Sequence, residues 1–581
     1  MSATLPPWAA EMRDLFRTGA CAQFILHGNV FDAVPREGRM LSLKAFLDEV
    51  MFAGYDVVLT YDRSRGVRAV KGGEDWSEWL HGALGDDARN QSYLREPGSA
   101  LELIDRYLLR SINLQSLKEP ATAAAAGAAG AAGPKIAVML DFAEFVVPRG
   151  EAVSLGGAFS ANVVKVLGWA NDPAILHANI ITVLITEGLH DLNELVVENP
   201  HAVALRVPLP DEGEMQEYLE ALVATQLPEL TANTDVPLPM LARRLTGLSR
   251  VGARRVLALA LKAGQRITGA WLNRMKKEAI ERECQGLLEF IESDLTLDHV
   301  AGLDAVRHWL REDTELLRRG ALHALPMGYL IAGRIGTGKT FLVTCWAGEL
   351  GIPCVVFKNF RDRWVGATES NLEKIFGILR ALGQVVVFVD EADQAAGKRE
   401  GGEGDSGLSG RVYSMLAKEM SDTRNRGRII WVFATSRPDL LEVDLKRQGR
   451  LDVHIPLFPP ETAEERRALL LAVARKIQVP VGEADLPELP DGLTLGGNEI
   501  EGVFVRGLRT WELSAEPRPA LKEILVAVFR EVRPSAHTRK LEYMDLVAVK
   551  ECTDQRFLPA RYRDLAPEEI EKRIEELRRF V

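Results

Sequence analysis

The chain has 581 residues, 47% of them hydrophobic and 26% charged, with a formal net charge of −11. That length exceeds a single hydrophobic core and points to about three or four domains, while the acidic balance excludes a duplex-binding surface covering the whole molecule, though not a local basic groove or pore. Apolar stretches long enough to span a bilayer without charges are missing, the start Met1 to Pro7 lacks a secretory pattern, and Cys21, Cys284, Cys345, Cys354 and Cys552 form no C-x-x-C pair. A soluble protein of the reducing cytoplasm, without zinc or disulfides and without a membrane role, is the expectation.

In chain order, Ala22–Leu26 and Asp56–Thr60 read as strands, with a helical pattern from Leu41 to Met51 between them. The run Ala121 to Pro134 is almost pure Ala and Gly, and its glycines weaken helix enough to suggest a flexible insertion. Ile136–Leu140 and Ile180–Ile185 are further apolar strands, and alternation with helices predicts a parallel α/β sheet. Residues 235–287 read as helical, with apolar positions at helical spacing from Leu238 to Ala263.

The second half repeats this plan at higher definition. Tyr329–Ala332 is a strand leading into a glycine loop, and Val385–Val389 and Ile429–Phe433 are buried strands. Helices are expected from about Pro460 to Val532, and Pro567–Leu577, acidic in its first turn, is a further helix. The two halves align at Val138–Glu144 with Phe388–Asp393 and at Ala204–Pro210 with Val453–Pro459, an internal repeat of about 250 residues. If so, the first copy has lost its chemistry. His27-Gly28-Asn29-Val30-Phe31-Asp32 follows its first strand with no lysine, and Phe142 stands where a catalytic carboxylate would. Docking a partner or stabilising an assembly is its expected task.

Gly333-Arg334-Ile335-Gly336-Thr337-Gly338-Lys339-Thr340 matches G-x-x-x-x-G-K-[ST], between a strand and the apolar helix that opens at Phe341. Glycines there let backbone N–H groups converge on phosphates, and the helix N-terminus adds its partial positive charge. Lys339 is expected to reach the β- and γ-phosphates of ATP, and the Thr340 hydroxyl to ligate Mg²⁺. Asp390 and Glu391 end a five-residue apolar strand about fifty residues later. At that place one carboxylate can hold Mg²⁺ and the other can polarise the attacking water.

Phe433-Ala-Thr-Ser436-Arg437-Pro-Asp-Leu-Leu-Glu-Val-Asp444-Leu-Lys-Arg447-Gln-Gly-Arg450-Leu-Asp452 resembles the second region of homology of the AAA family. The resemblance implies a sensor residue at Ser436, where Asn is usual, and Arg447 and Arg450 projecting into a neighbouring subunit's site. It thus implies a homo-oligomeric ring, hexameric, acting on a protein substrate. Asp298-His299-Val300-Ala301-Gly302 resembles the family's adenine-contacting segment, and Leu495-Gly496-Gly497-Asn498 the start of its lid helix. Trp364-Val365-Gly366 resembles the pore loop whose aromatic grips an extended polypeptide. Gly286–Glu292, Leu303–Leu310 and Phe557–Tyr562 are closer to the AAA proteins known as a conserved open reading frame of algal chloroplasts and cyanobacteria, which carry a degenerate ATPase-like half before an intact module.

The expected class is therefore α/β: a P-loop AAA+ large domain (291–459) with a helical lid (460–535) and a helical tail (536–581). A degenerate AAA-like α/β domain (1–234, with its insertion at 121–134) and a helical segment (235–290) precede them. An ATPase that remodels, disassembles or activates a protein partner leads, and a nucleotide-controlled scaffold that threads nothing is the alternative. No H-E-x-x-H is present, and no recognised nucleic-acid module favours DNA or RNA as partner.

Overall fold

A computed structural model describes residues 5–36, 39–85, 94–118, 134–150, 156–284, 286–358, 369–393, 414–483, 486–487, 495–515, 518–532 and 537–580. The Ala/Gly run up to residue 133 and the pore-loop motif at Trp364, Val365 and Gly366 lie outside them. The chain divides into two compact units, Met1–Ile280 with Gly366–Ala381, and Glu281–Val365 with Leu382–Val581. Five helices bear on the argument: α1 (Arg250–Lys262), α2 (Lys339–Leu350), α3 (Glu369–Leu382), α4 (Gly497–Glu512) and α5 (Thr538–Glu551).

In the first unit β1 (Gln23–Gly28) leads into a hairpin of β2 (Ala33–Arg36) and β3 (Arg39–Ser42), then β4 (Val57–Asp62), β5 (Gly66–Lys71), β6 (Ile136–Asp141), β7 (Ile180–Ile185) and β8 (Ala202–Val207). The main sheet has the order β5-β4-β6-β7-β1-β8, parallel except for β5. Val/Ile-rich β6 and β7 are buried at every position, as strands covered on both faces must be. The helix expected from Leu41 begins at Leu43, because Arg39–Ser42 pairs as a strand and the Ser42 hydroxyl then accepts from Ala45 N at 3.2 Å as an N-cap. The helical stretch expected through Leu238 to Ala263 is two helices, Leu238–Leu245 and α1. Gly247 takes the left-handed conformation (φ +91°) between them, and Ser249 caps the second.

Helix α3 belongs to this first unit although its sequence lies in the second half. It meets residues at the carboxyl ends of the sheet strands. Arg149 makes a bidentate pair with the buried Glu369, one arm at 2.8 Å, and Lys374 pairs with Glu187 at 2.8 Å. His27 Nδ1 lies 3.1 Å from Glu373 Oε1, and Arg206 donates to the Glu373 carbonyl at 3.2 Å. Burial alone would raise the Glu373 pKa, but the His27 hydrogen bond and the surrounding cationic groups bring it net below the usual range.

The second unit has β9 (Leu288–Phe290), β10 (Gly328–Ala332), β11 (Cys354–Phe357), β12 (Val385–Val389), β13 (Ile429–Thr435) and β14 (Val453–Pro456) in the order β14-β10-β13-β12-β11-β9, parallel except for β9. Numbering the five parallel strands of each sheet by chain order gives 5-1-4-3-2 in both units, so the repeat read from short alignments is a repeat of topology. The antiparallel edge strand sits at the same place but comes from opposite directions along the chain, β5 after its neighbour β4 and β9 before β11. Both copies also share a strained residue after the strand-end aspartate, Phe142 at φ +52° and Glu391 at φ +47°. The lid packs Leu470, Ile500, Phe504, Leu525 and Phe529 into its own core, and the tail packs α5 against Ile570 and Leu577.

Candidate nucleotide site

The phosphate loop leaves β10 at Ala332 and enters α2 at Lys339. Gly338 is the residue before the helix and sits at φ +85°, which a side chain would strain. The Lys339 ammonium is caged, donating to the carbonyl oxygens of Gly333 (2.8 Å) and Arg334 (3.1 Å) and to Ser436 Oγ (3.0 Å). Burial lowers its pKa to about 8, against the opposing pull of Asp390, Asp393 and Glu391. Thr340 Oγ1 donates to Asp390 Oδ2 at 2.8 Å, which brings the end of β12 to the start of α2. A hydroxyl and a carboxylate set side by side are hard oxygen donors suited to Mg²⁺, with remaining positions left for phosphate and water.

Glu391 follows Asp390, and its backbone N–H donates to Asp390 Oδ1 at 2.9 Å, so its side chain is exposed while its backbone is pinned. Thr435 donates to Asp393 Oδ1 at 2.6 Å at the carboxyl end of β13, and Ser436 is the next residue. The short Ser436 side chain thus reaches the ammonium of Lys339. Thr337 Oγ1 donates to the Arg334 carbonyl at 2.9 Å, Ile335 is 67% exposed at the loop's tip, and Phe341 is partly buried against the core under the loop.

Gly497, at the start of α4, donates its N–H to the Gly336 carbonyl at 3.0 Å, so the lid helix opens on the loop. Val300 is buried in the core beside α2, with Ala301 and Gly302 half-exposed after it. Arg447 and Arg450 are not gathered with Lys339 and Asp390. Arg447 is 63% exposed and pairs with Asp444 Oδ1 at 3.0 Å, and Arg450, largely buried, donates to the Asp444 carbonyl at 2.6 Å and pairs with its carboxylate.

Sequence reasoning missed three charged groups. Asp545 on α5 lies 3.7 Å from the Arg334 guanidinium, a partner two hundred residues away with no motif to announce it. The other two lie in the first half. Lys44, at the start of the helix after the hairpin, forms an ion pair with the buried Asp141 at the end of β6. The hairpin inserted between strand and helix hid it. Asp32, in the loop after β1, accepts from the N–H groups of Arg250 (3.0 Å) and Val251 (2.9 Å) at the start of α1. The N-terminus of α1 is thereby capped by a carboxylate from a distant loop of the chain.

Known families match successive stretches of the chain, the last of them running through α3. Models described as the AAA+ chaperone N-terminal Rossmann-like domain, its second helical domain, and the ATPase family associated with various cellular activities (AAA) match residues 2–208, 214–285 and 329–458. Among curated relatives, ATP-dependent zinc metalloprotease FtsH 1 of Symbiobacterium thermophilum is 32% identical over 213 residues, covering 35% of this chain and 36% of that protein. The peroxisomal ATPase PEX6 of Candida glabrata is 28% identical over 304 residues, covering 46% and 30%. The cell division cycle protein 48 homolog of Archaeoglobus fulgidus is 33% identical over 215 residues, covering 36% and 29%. The chain thus spans about a third of the length of these relatives. A phosphate loop on the first of five parallel strands ordered 5-1-4-3-2, a lid opening on that loop, and these matches along both halves establish that the chain belongs to the AAA+ ATPases.

Proposed function

We propose that the chain hydrolyses ATP with Mg²⁺ at the Gly333–Thr340 loop, within a homo-oligomeric, hexameric ring in the cytoplasm, and uses the cycle to remodel, disassemble or activate a protein partner. The observation that carries this reading is the joining of Lys339, Ser436, Thr340 and Asp390 by direct hydrogen bonds across three elements of one unit. The carbonyl cage holds the ammonium where phosphate oxygens can take over its hydrogen bonds, a charge-assisted exchange. Thr340 and Asp390 would hold the Mg²⁺, which when bound neutralises charge on the β- and γ-oxygens. Glu391 takes the proton of the water that attacks the γ-phosphorus, and Ser436 orients that water or the γ-oxygens. Val300, Ala301, Gly302 and Gly497 border the nucleoside. The neighbouring copy's Arg447 and Arg450, released from Asp444, stabilise charge on the transferring group.

A protein as substrate is favoured by the matched descriptions, an AAA+ chaperone and an ATP-dependent metalloprotease. Among the described residues no helix is long and apolar enough to cross a membrane. The boundaries 1–234, 235–290, 291–459, 460–535 and 536–581, and the closer kinship with the chloroplast and cyanobacterial ATPases, belong to the same proposal.

Glu391→Gln tests it. The amide keeps the size of the side chain but cannot accept a proton, so ATP binding should persist while turnover falls about a hundredfold or more. The stalled ring should retain its partner in a pull-down. Near-normal turnover would remove Glu391 from the mechanism. Trp364→Ala with full activity on the retained partner would favour the scaffold reading over threading.

A further inference from the structure

Asp545 is 4% exposed, on a helix that carries none of the nucleotide motifs. Its Oδ2 lies 3.7 Å from the Arg334 guanidinium, and its Oδ1 is buried without a hydrogen-bond partner among the described residues. Arg334 is anchored at both ends. Its side chain points to α5, while its carbonyl accepts from Thr337 and from the Lys339 ammonium. A carboxylate that fixes this guanidinium therefore fixes the turn from which the phosphate loop is built.

The same helix also holds the segment that follows β13. Tyr543 donates to Asp439 Oδ2 at 3.0 Å, and the Arg437 guanidinium, itself bound to Asp439, lies 5.2 Å over the Tyr543 ring. Lys446 pairs with Glu551 and donates to the Pro438 carbonyl at 3.0 Å. The main chain thus clamped runs from Ser436 to Arg447 and Arg450.

We infer that α5 is a positioning element of the ATP site: Asp545 aligns the phosphate loop through Arg334, and Tyr543 and Glu551 align the segment bearing Ser436 and the two arginines. This rests on the reading that the Gly333–Thr340 loop binds ATP. Asp545 touches no nucleotide and acts through Arg334 alone. Its charge matters, and that charge titrates. Burial raises the Asp545 pKa to about 6, against the pull of Arg334 and Arg561, with Glu542 and Glu461 adding to the rise; Tyr562 and the Arg561–Glu461 pair complete its surroundings. Above about 6 the carboxylate is ionised and holds Arg334, and as pH falls through that value the hold is lost.

The test compares ATP affinity of the full chain, wild type and Asp545→Asn, from pH 5 to 8. Asp545→Asn should bind ATP about three- to tenfold more weakly at pH 7.5, and Asp545→Glu should recover part of the loss. The ratio of the two affinities should collapse toward one as pH falls through about 6, because titration of ATP itself is common to both proteins and cancels. Backbone amides of 334–338 in the nucleotide-free Asp545→Asn chain should exchange faster, a readout that needs no ATP. Arg334→Gln probes the same pair from the loop side if Asp545→Asn fails to fold, and should reproduce the loss and the flattened profile. Faster loop exchange in a chain whose wild type binds no ATP would indict the nucleotide reading instead of the anchor. Unchanged affinity and unchanged loop exchange in the variants, or a ratio independent of pH, would overturn the inference.

Discussion

At the scale of single residues, Lys339 carries an unusual feature, an ammonium pushed down to about 8 by burial in a cage of carbonyl oxygens. ATP brings negative oxygens to that ammonium and favours its charged form, so binding must return a proton to the loop once the pH exceeds about 8. ATP affinity should therefore decline as pH rises through that value, and calorimetry in two buffers of different ionisation enthalpy should show proton uptake on the alkaline side alone. Lys339→Ala should abolish both the uptake and measurable ATP binding; affinity within tenfold of wild type would refute the assignment. The folding balance has the opposite sign. A lysine held below its ordinary 10.5 costs stability at pH 7, and that cost shrinks as pH rises from about 8 toward 10.5. Lys339 and Thr340 could be singled out in the sequence because the loop's residues are neighbours at a fixed spacing, and Asp390 and Glu391 because they end an apolar strand; the hydrogen bond from Thr340 to Asp390 is what the structure adds. Asp545 and Lys44 could not be singled out, because burial and long-range pairing select them, and neither leaves a local pattern.

Among elements, the first-half loop after β1 explains how a nucleotide fold persists without a nucleotide motif. Asp32 caps α1 from a distance and lies 3.6 Å from the Arg250 guanidinium, which also pairs with Glu214 at 3.1 Å. Lys44 neutralises Asp141. Each of these charges is satisfied by a partner within the chain. Removing one should cost more than an ordinary surface change. Asp32→Ala strips two N–H groups of their acceptor and leaves the buried Arg250 with one fewer counter-charge, a loss of about 2–4 kcal/mol. Thermal unfolding should show it in full-length protein, and a melting temperature within a degree of wild type would count against this account. The parallel sheet was legible from its apolar strands and their alternation with helices. The β2–β3 hairpin was not, since its strands are four residues each and Pro35 lies within one of them.

For the whole molecule, the decisive property is whether sites are completed between copies. Arg447 is exposed and bound to Asp444 by an ion pair that solvent weakens, so the release that the proposed role across an interface requires costs little. Arg447→Ala should lower turnover about a thousandfold while ATP still binds, since an arginine supplied across an interface acts on the transition state. Mixing Arg447→Ala with Lys339→Ala chains should restore part of the hydrolysis, because at some interfaces an intact loop meets an intact arginine. No recovery at any mixing ratio would mean that each chain works alone.

The assignment of α3 to the first unit has a consequence for how such a protein can be taken apart or inherited. A single cut in the connection near residue 280 does not yield two whole bodies. The leading fragment would lack the helix that meets its His27, Arg149, Glu187 and Arg206, and the trailing fragment would keep that helix with Glu369 and Glu373 stripped of their counter-charges. Glu369, only 3% exposed, would be uncovered and left without its arginine. The two halves are interleaved like the strands of a splice, so the degenerate half cannot be shed by moving one boundary. Genes that lost it would have to redesign a helix encoded within the half that remains.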